Sequence, residues 1–112
     1  MTQPIYKILS AAEWRDAGRV GSFRGAGIDL TDGYIHFSTA EQAAETALKH
    51  FAGKSDLVLV AVDVDKLGAR LKWEVSRGGA LFPHLYGTLA TGDVLWVKPL
   101  PLDADGKHVF PA

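Results

Sequence analysis

The chain has 112 residues, a formal net charge of −1 and no cysteine. This length fits one domain over residues 1–112, and the absence of cysteine excludes disulfides, thiolate metal sites and cysteine nucleophiles. The near-zero charge argues against a nucleic-acid-binding surface. The first residues lack the pattern of a signal peptide, and the longest apolar run, residues 57–62, is too short to cross a bilayer. We therefore expect a cytoplasmic protein that does not enter a membrane.

The first third of the chain predicts a strand, a helix and a loop. Apolar residues are spaced over residues 5–9 as in a short strand. Ser10 and Glu13 have the spacing of a capping box, which predicts a helix over residues 11–19. Several glycines then interrupt any regular pattern, so residues 20–32 are predicted to form a loop.

The middle of the chain predicts a strand, a helix and a second strand. Residues 33–38 alternate between apolar and polar side chains, as in a half-buried strand. Ser38 and Glu41 form a second possible capping box, followed by a helix that ends near Gly53. The nearly continuous apolar run over residues 56–63 predicts a strand that is buried on both faces.

The last third predicts further strands and turns. A turn at residues 65–68 precedes a strand over residues 71–75, in which Trp73 is expected to be a core aromatic. Another strand is predicted at residues 94–97, and a turn is predicted at residues 105–106. Strands outnumber helices and do not alternate regularly with them, which favours the α+β class. We expect two small packed β-sheets with two or three short helices.

The polar residues of these elements suggest a site. His36 and Ser38 share the face of their strand that points away from the core. Glu74, His84 and Tyr86 follow in the second half of the chain. Two imidazoles, a carboxylate, a hydroxyl and a phenol are suitable groups for a small reactive or ligand-binding cleft. We predict that the five side chains line one concavity.

Each of these residues also has a structural interpretation. His36 alone is as consistent with a solvent-facing strand position as with a site. Ser38 is explained first as a helix N-cap. Glu74 shares a face with Lys72, as in an ordinary surface ion pair. His84 lies between a proline and a glycine, in a predicted loop, and loops are where functional residues concentrate.

Two arginines and a possible metal site complete the candidates. Arg24 and Arg77 each neighbour glycines, which is typical either of a plain turn or of a flexible anion-binding loop. His36, Glu74 and His84 could supply two imidazoles and a carboxylate to a metal ion. No pair among them has the local spacing of a metal motif, so no metal is expected.

Two segments carry a resemblance to a known family. These are IHFST at residues 35–39 and FPHLYG at residues 82–87. With the surrounding pattern, they make nearly the whole chain resemble the bacterial domain of unknown function 952 family. That family is distantly similar to the ADP-ribosyltransferase superfamily, especially the RNA 2′-phosphotransferases, which carry a strand-borne His-x-Ser/Thr before an alanine-containing helix. The resemblance implies two small packed sheets that grip NAD in a cleft.

The same resemblance implies an ADP-ribosyltransferase-like enzyme that acts on NAD or an ADP-ribose-type nucleotide. Glu74 would stabilise the positive charge that develops as the nicotinamide–ribose bond breaks. Related sequences often have histidine in place of Lys7, at a position that transferases use to hold the nucleotide. The roles implied for the other residues are His36 and Ser38 on the ribose, Tyr86 on a ring, His84 on a hydroxyl or phosphate, Lys7 on a phosphate, and Arg24 or Arg77 on the pyrophosphate.

Two alternatives stay open. The second hypothesis is a non-catalytic module that binds a nucleotide, a small anion or a partner protein in the same cleft. The third is a metal-dependent enzyme. The orientation of Glu74 separates the first two hypotheses, because a transferase needs this carboxylate to face His36 and a binding module can leave it on the surface.

Overall fold

The structure, a computed structural model, describes residues 4–76 and 79–111. Within these residues the helices are α1 Ala11–Val20, α2 Ile28–Asp32 and α3 Ala40–His50. The strands are β1 Pro4–Ser10, β2 Ser22–Phe23, β3 Ile35–His36, β4 Leu57–Asp63, β5 Leu71–Val75, β6 Leu81–Leu85, β7 Leu89–Ala90 and β8 Val94–Pro99. Short 3₁₀ turns cover Val64–Lys66, Gly68–Arg70 and Thr91–Asp93.

The strands form small antiparallel sheets. The β4 sheet has the order β1-β4-β8, the β6 sheet has the order β3-β6-β5, and β2 pairs with β7 in a short ribbon. The α+β class is therefore confirmed, with a two-stranded ribbon in addition to the two predicted sheets. None of the helices in the described ranges is long and apolar enough to cross a membrane.

The core lies on both faces of the β4 sheet. Residues 59–62 are buried, because β4 is the central strand of its sheet and an apolar cluster covers each face of it. One apolar cluster joins the β4 sheet to the β6 sheet and to the ribbon, through Ile5, Leu9, Phe23, Ile35, Val60, Leu85 and Leu89. A second cluster packs Ala47 of α3 against Ile8, Leu57, Leu59 and Leu100.

The two capping boxes are found, one of them displaced by a residue. Ser10 and Glu13 cap α1 as predicted. The box of α3 is formed by Thr39 and Gln42, so the assignment to Ser38 and Glu41 is wrong. Ser38 instead exchanges both backbone hydrogen bonds with Tyr6 of β1, at 2.8 Å each. This bridge holds Ser38 in extended backbone and leaves the capping position to the next residue.

The predicted loop at residues 20–32 is the largest error in secondary structure, since it contains both β2 and α2. The helix α2 has only five residues and lies between two glycines of positive φ, Gly27 and Gly33. An element this short has too few residues to produce a recognisable helical period.

Two further predictions about the second half are wrong. His84 lies in strand β6 and not in a loop. The strand tolerates Pro83 because β3 pairs only with residues 84–85, so the missing N–H falls just past the end of that ladder. Trp73 is 47 % exposed and not a core residue. Trp73 lies on the edge strand β5. The apolar cluster of the core extends to Leu85 of β6 and does not include Trp73.

Candidate functional site

A cavity of about 590 Å³ opens beside β1, β3 and β6. Its wall includes polar side chains from every one of these elements and from α2 and α3. Those that matter below are Lys7, Asp29, Asp32, Tyr34, His36, Ser38 and His84.

The carboxylate of Asp29, on α2, is the centre of a buried polar network. Its Oδ2 accepts hydrogen bonds from Lys7 Nζ at 2.7 Å and from the backbone N–H of Ala26 at 3.0 Å. Its Oδ1 lies 3.0 Å from the backbone nitrogen of His36 and 2.6 Å from Nδ1 of the same histidine. Gly25 makes room for this arrangement, because a Cβ at that position would lie 2.7 Å from Cβ of Asp29. The network joins α2, β1 and β3.

Burial and charge act in opposite directions on the two ionisable groups of this network. Burial lowers the pKa of Lys7, and the neighbouring Asp29 carboxylate opposes that shift. Burial alone would raise the pKa of Asp29, but the hydrogen bonds from His36 and the charge of Lys7 lower it to about 2. Asp29 is therefore a carboxylate at neutral pH, and the pair is a buried ion pair.

His36 is held between two carboxylates. Besides the contact with Asp29, its Nε2 lies 3.1 Å from Oδ2 of Asp32. Each ring nitrogen therefore contacts a different carboxylate of α2. The imidazole is thereby fixed in one orientation at the cavity wall.

A second network lies on the same face of the β6 sheet as His36, on its β5 side. Oε1 of Glu74 accepts a hydrogen bond from the hydroxyl of Tyr86 at 2.8 Å and lies 2.8 Å from Nδ1 of His84. Hydrogen bonds from His84 and Tyr86 lower the pKa of Glu74, while the hydrogen bond to Glu74 raises the pKa of Tyr86 to about 12. Glu74 is thus an oriented carboxylate at the edge of the site.

Aromatic rings connect the two networks. The ring of Tyr34 lies 4.6 Å from that of His36, 4.3 Å from that of His84 and 5.1 Å from that of Tyr86. The two histidine rings meet edge to face at 5.2 Å. We call Tyr34, His36, His84 and Tyr86 the ring cluster. Its faces offer stacking surface to a planar ligand group.

The structure brings most of the predicted site residues together. His36, Ser38, His84 and Lys7 line the cavity. Glu74 and Tyr86 were predicted to line it too, but they lie behind His84 and are connected to the wall through the hydrogen bonds described above. His84 is only 2 % exposed, so it is a buried member of the wall. The hydroxyl of Ser38 lies 2.9 Å from that of Thr46 on α3.

Of the two predicted arginines, the structure describes only Arg24, which lies apart from this arrangement. Arg24 lines a separate, shallower depression of about 270 Å³ together with Glu13 and Asp16. Arg77 lies outside the described residues. No group of three or more histidine and carboxylate side chains is placed to hold a metal ion within residues 4–76 and 79–111.

Three residues of the site were missed by the sequence interpretation. Asp29 and Asp32 fall in the segment that was predicted to be a loop, where a carboxylate is unremarkable. Tyr34 had a usable signal, because it alternates with Ile35 and so shares the face of His36. The convergence of Lys7 with Asp29 had none, since it depends on the packing of α2 against β1.

Comparison with known proteins gives a family and close structural neighbours. The crystal structure of protein CC0527 from Caulobacter crescentus is 54 % identical, with a TM-score of 0.92, and the match covers 96 % of this chain and 94 % of that one. The solution NMR structure of CC0527 is 56 % identical over 93 % of this chain and 90 % of that one, with a TM-score of 0.84. No curated protein matches. The family described as protein of unknown function DUF952 matches residues 8–97, and the chain belongs to that family.

Proposed function

We propose that the cavity binds an ADP-ribose-type nucleotide and that the protein is an ADP-ribosyltransferase-like enzyme that uses NAD as its donor. The observation that carries the proposal is the position of Glu74. This carboxylate is oriented by His84 and Tyr86, and it lies on the same face of the β6 sheet as His36. A transferase needs this carboxylate to face His36, and a shared face of the sheet is the first condition for that.

The cavity suits a ligand of this kind in size and in polarity. Its volume of about 590 Å³ falls within the usual range of small-molecule sites. Among the described residues, the ammonium group of Lys7 has one hydrogen-bond partner, Asp29, although an ammonium carries three donors. The remaining N–H groups are suited to a phosphate or ribose oxygen. The ring cluster supplies stacking surface for a base or for nicotinamide.

The proposed reaction breaks the bond between nicotinamide and ribose C1′. The bonding pair leaves with neutral nicotinamide, and positive charge develops on the ribose. Glu74 stabilises that charge across the ring or through a ribose hydroxyl. An acceptor oxygen then bonds to C1′ and loses its proton. With water as acceptor, NAD gives ADP-ribose, nicotinamide and one proton.

A nucleotide-binding module without catalysis is the second candidate. It is favoured by the exposure of the Glu74 side chain, which is 37 % accessible. Catalytic carboxylates gain strength from exclusion of water, and Glu74 is open to solvent on one side. The same cavity and ring cluster would serve this function without any bond cleavage.

The test compares binding and nicotinamide release in two matched variants. Glu74→Gln keeps the size and the acceptor oxygen of the side chain and removes its charge, so we expect unchanged NAD affinity and roughly 100-fold slower release of nicotinamide. Glu41→Gln, on the exposed surface of α3, should behave as the wild type. Release is measured by chromatography, with water and with a cell extract as sources of acceptor.

The outcomes separate the two candidates. Binding of NAD with no release of nicotinamide under either condition would contradict the transferase and support the binding module. Absence of NAD and ADP-ribose binding would contradict both candidates.

A further inference from the structure

Strand β5 is an open edge of the β6 sheet. It pairs with β6 on one side, and no other strand of the described ranges pairs with it on the other. The backbone N–H of Ser76 donates to the carbonyl of Ala80 at 2.9 Å, and that of Tyr86 donates to Arg70 at 2.8 Å. In an antiparallel ladder these two bonds set the alternation, so residues 72 and 74 bond toward β6. The C=O groups of residues 71, 73 and 75 and the N–H groups of residues 73 and 75 therefore point to the open edge, while the N–H of Leu71 donates to the carbonyl of Gly68.

The side chains at this edge are apolar and exposed. Trp73 is 47 % exposed and Val75 is 69 % exposed, and Leu81, the partner of Val75 on β6, is 52 % exposed. An edge strand with free backbone groups and exposed apolar side chains is a template for pairing with another chain. Pairing with a further strand is one way in which such an edge is covered.

The sequence of β5 is complementary to itself in antiparallel pairing. If Trp73 lies opposite Trp73 of a second copy, Leu71 lies opposite Val75 and Lys72 lies opposite Glu74. Residues 73 and 75 then supply both N–H and C=O groups to the hydrogen-bonded pairs, and Leu71 supplies its C=O, since its N–H is bonded to Gly68. Lys72 and Glu74 of opposite copies fall at the non-hydrogen-bonded positions, where Cα atoms are about 4.5 Å apart and side chains are closest.

Neighbouring registers lose this complementarity. A shift by two residues in one direction places Lys72 opposite Lys72, and in the other direction it places Glu74 opposite Glu74. Like charges directly opposite one another destabilise a strand pair, whereas opposite charges stabilise it. A shift by one residue places side chains of one face opposite those of the other. One register therefore pairs most of the open backbone groups together with the apolar and the charged side chains.

We propose that two copies of this chain associate through their β5 strands, with Trp73 at the two-fold axis and Lys72 of each copy paired with Glu74 of the other. The β6 sheets of both copies then form one six-stranded sheet with both sites on the same face. Oε2 of Glu74 has no hydrogen-bond partner among the described residues, so it is available to the second copy's ammonium group. The proposal does not depend on the identity of the ligand.

The test reverses the charge of Lys72 or of Glu74 and measures the molar mass of the particle by sedimentation velocity. The wild type should have a measured molar mass of twice the chain mass of 12.1 kDa. Lys72→Glu alone and Glu74→Lys alone place like charges opposite one another, so each should sediment as a monomer. An equimolar mixture of the two variants restores both opposite-charge pairs and should again give a dimer. The double variant Lys72→Glu/Glu74→Lys should also form a dimer with itself.

A matched control uses the exposed ion pair between Glu45 and Lys49 on α3. Reversal of either charge there should leave the mass at that of a dimer. Circular dichroism checks that every variant is folded. A monomeric wild type, dimeric single variants, or a mixture that stays monomeric would each overturn the proposal.

Discussion

At the scale of single residues, the most unusual feature is the buried ion pair of Lys7 and Asp29. Lys7 lies on the same face of β1 as the core residues Ile5 and Leu9. A charge at such a position is costly unless it is paired and hydrogen-bonded. Asp29 supplies that partner and also fixes His36. The pair therefore links the stability of the fold to the orientation of a candidate site residue.

Neutralising this carboxylate should destabilise the protein strongly. Asp29→Asn leaves the ammonium of Lys7 buried without an opposite charge, and we expect a loss of about 3–5 kcal/mol in the free energy of unfolding. The measurement is urea denaturation at pH 7. Asp16→Asn is the control, because Asp16 forms an exposed pair with Arg19 and its loss should cost less than about 1 kcal/mol. Equal losses in the two variants would contradict the role given to Asp29.

Because of Asp29, the free energy of unfolding should depend on pH in the acid range. The pKa of Asp29 is about 2 in the folded protein and 3.8 is its usual value. A carboxyl group with a lowered folded pKa stabilises the fold above its unfolded pKa, and this contribution is lost as the pH falls through the folded pKa. Stability should therefore decline between about pH 4 and pH 2, as followed by denaturation at each pH. The decline should be shallower in Asp29→Asn, and identical slopes would contradict the assignment.

At the scale of elements, the parts that follow local rules could be predicted from the sequence. The start of α1 follows from its capping box, and β4 follows from a continuous apolar run between two pairing strands. The short elements β2 and α2 could not be predicted in this way. The first is fixed by pairing with β7, and the second by the contacts of Asp29 with β1 and β3.

The displaced capping box gives a direct test at this scale. Ser10→Ala and Thr39→Ala should each lower the free energy of unfolding by about 1 kcal/mol, because each hydroxyl accepts a hydrogen bond from a backbone N–H of the first helical turn. Glu41→Ala should change it by less than about 0.5 kcal/mol, since the partner in the box is Gln42. Chemical denaturation compares the three. A larger loss for Glu41→Ala than for Thr39→Ala would restore the capping box at Ser38.

At the scale of the whole molecule, the site is assembled from residues that are distant in the chain. His36 and His84 face one another because β3 and β6 pair in a register that places them opposite. Strand alternation correctly predicted the face of the sheet on which His36 lies. The same rule, applied to residues 71–75, correctly predicted that Glu74 and Trp73 lie on opposite faces. The burial of each face could not be predicted, because it depends on how far the core extends along the β6 sheet. That is why Trp73 is exposed and His84 is buried.

The most direct test of the account is an NMR titration of the wild-type protein with ADP-ribose. We expect saturable shifts in the side-chain resonances of Tyr34, His36 and His84 at concentrations up to the order of 1 mM. Asp16, in the depression that also contains Arg24, should not respond. Saturable shifts at the ring cluster would support a nucleotide-binding cleft, whether or not catalysis follows. No saturable shift, or shifts confined to the depression around Asp16, would contradict it.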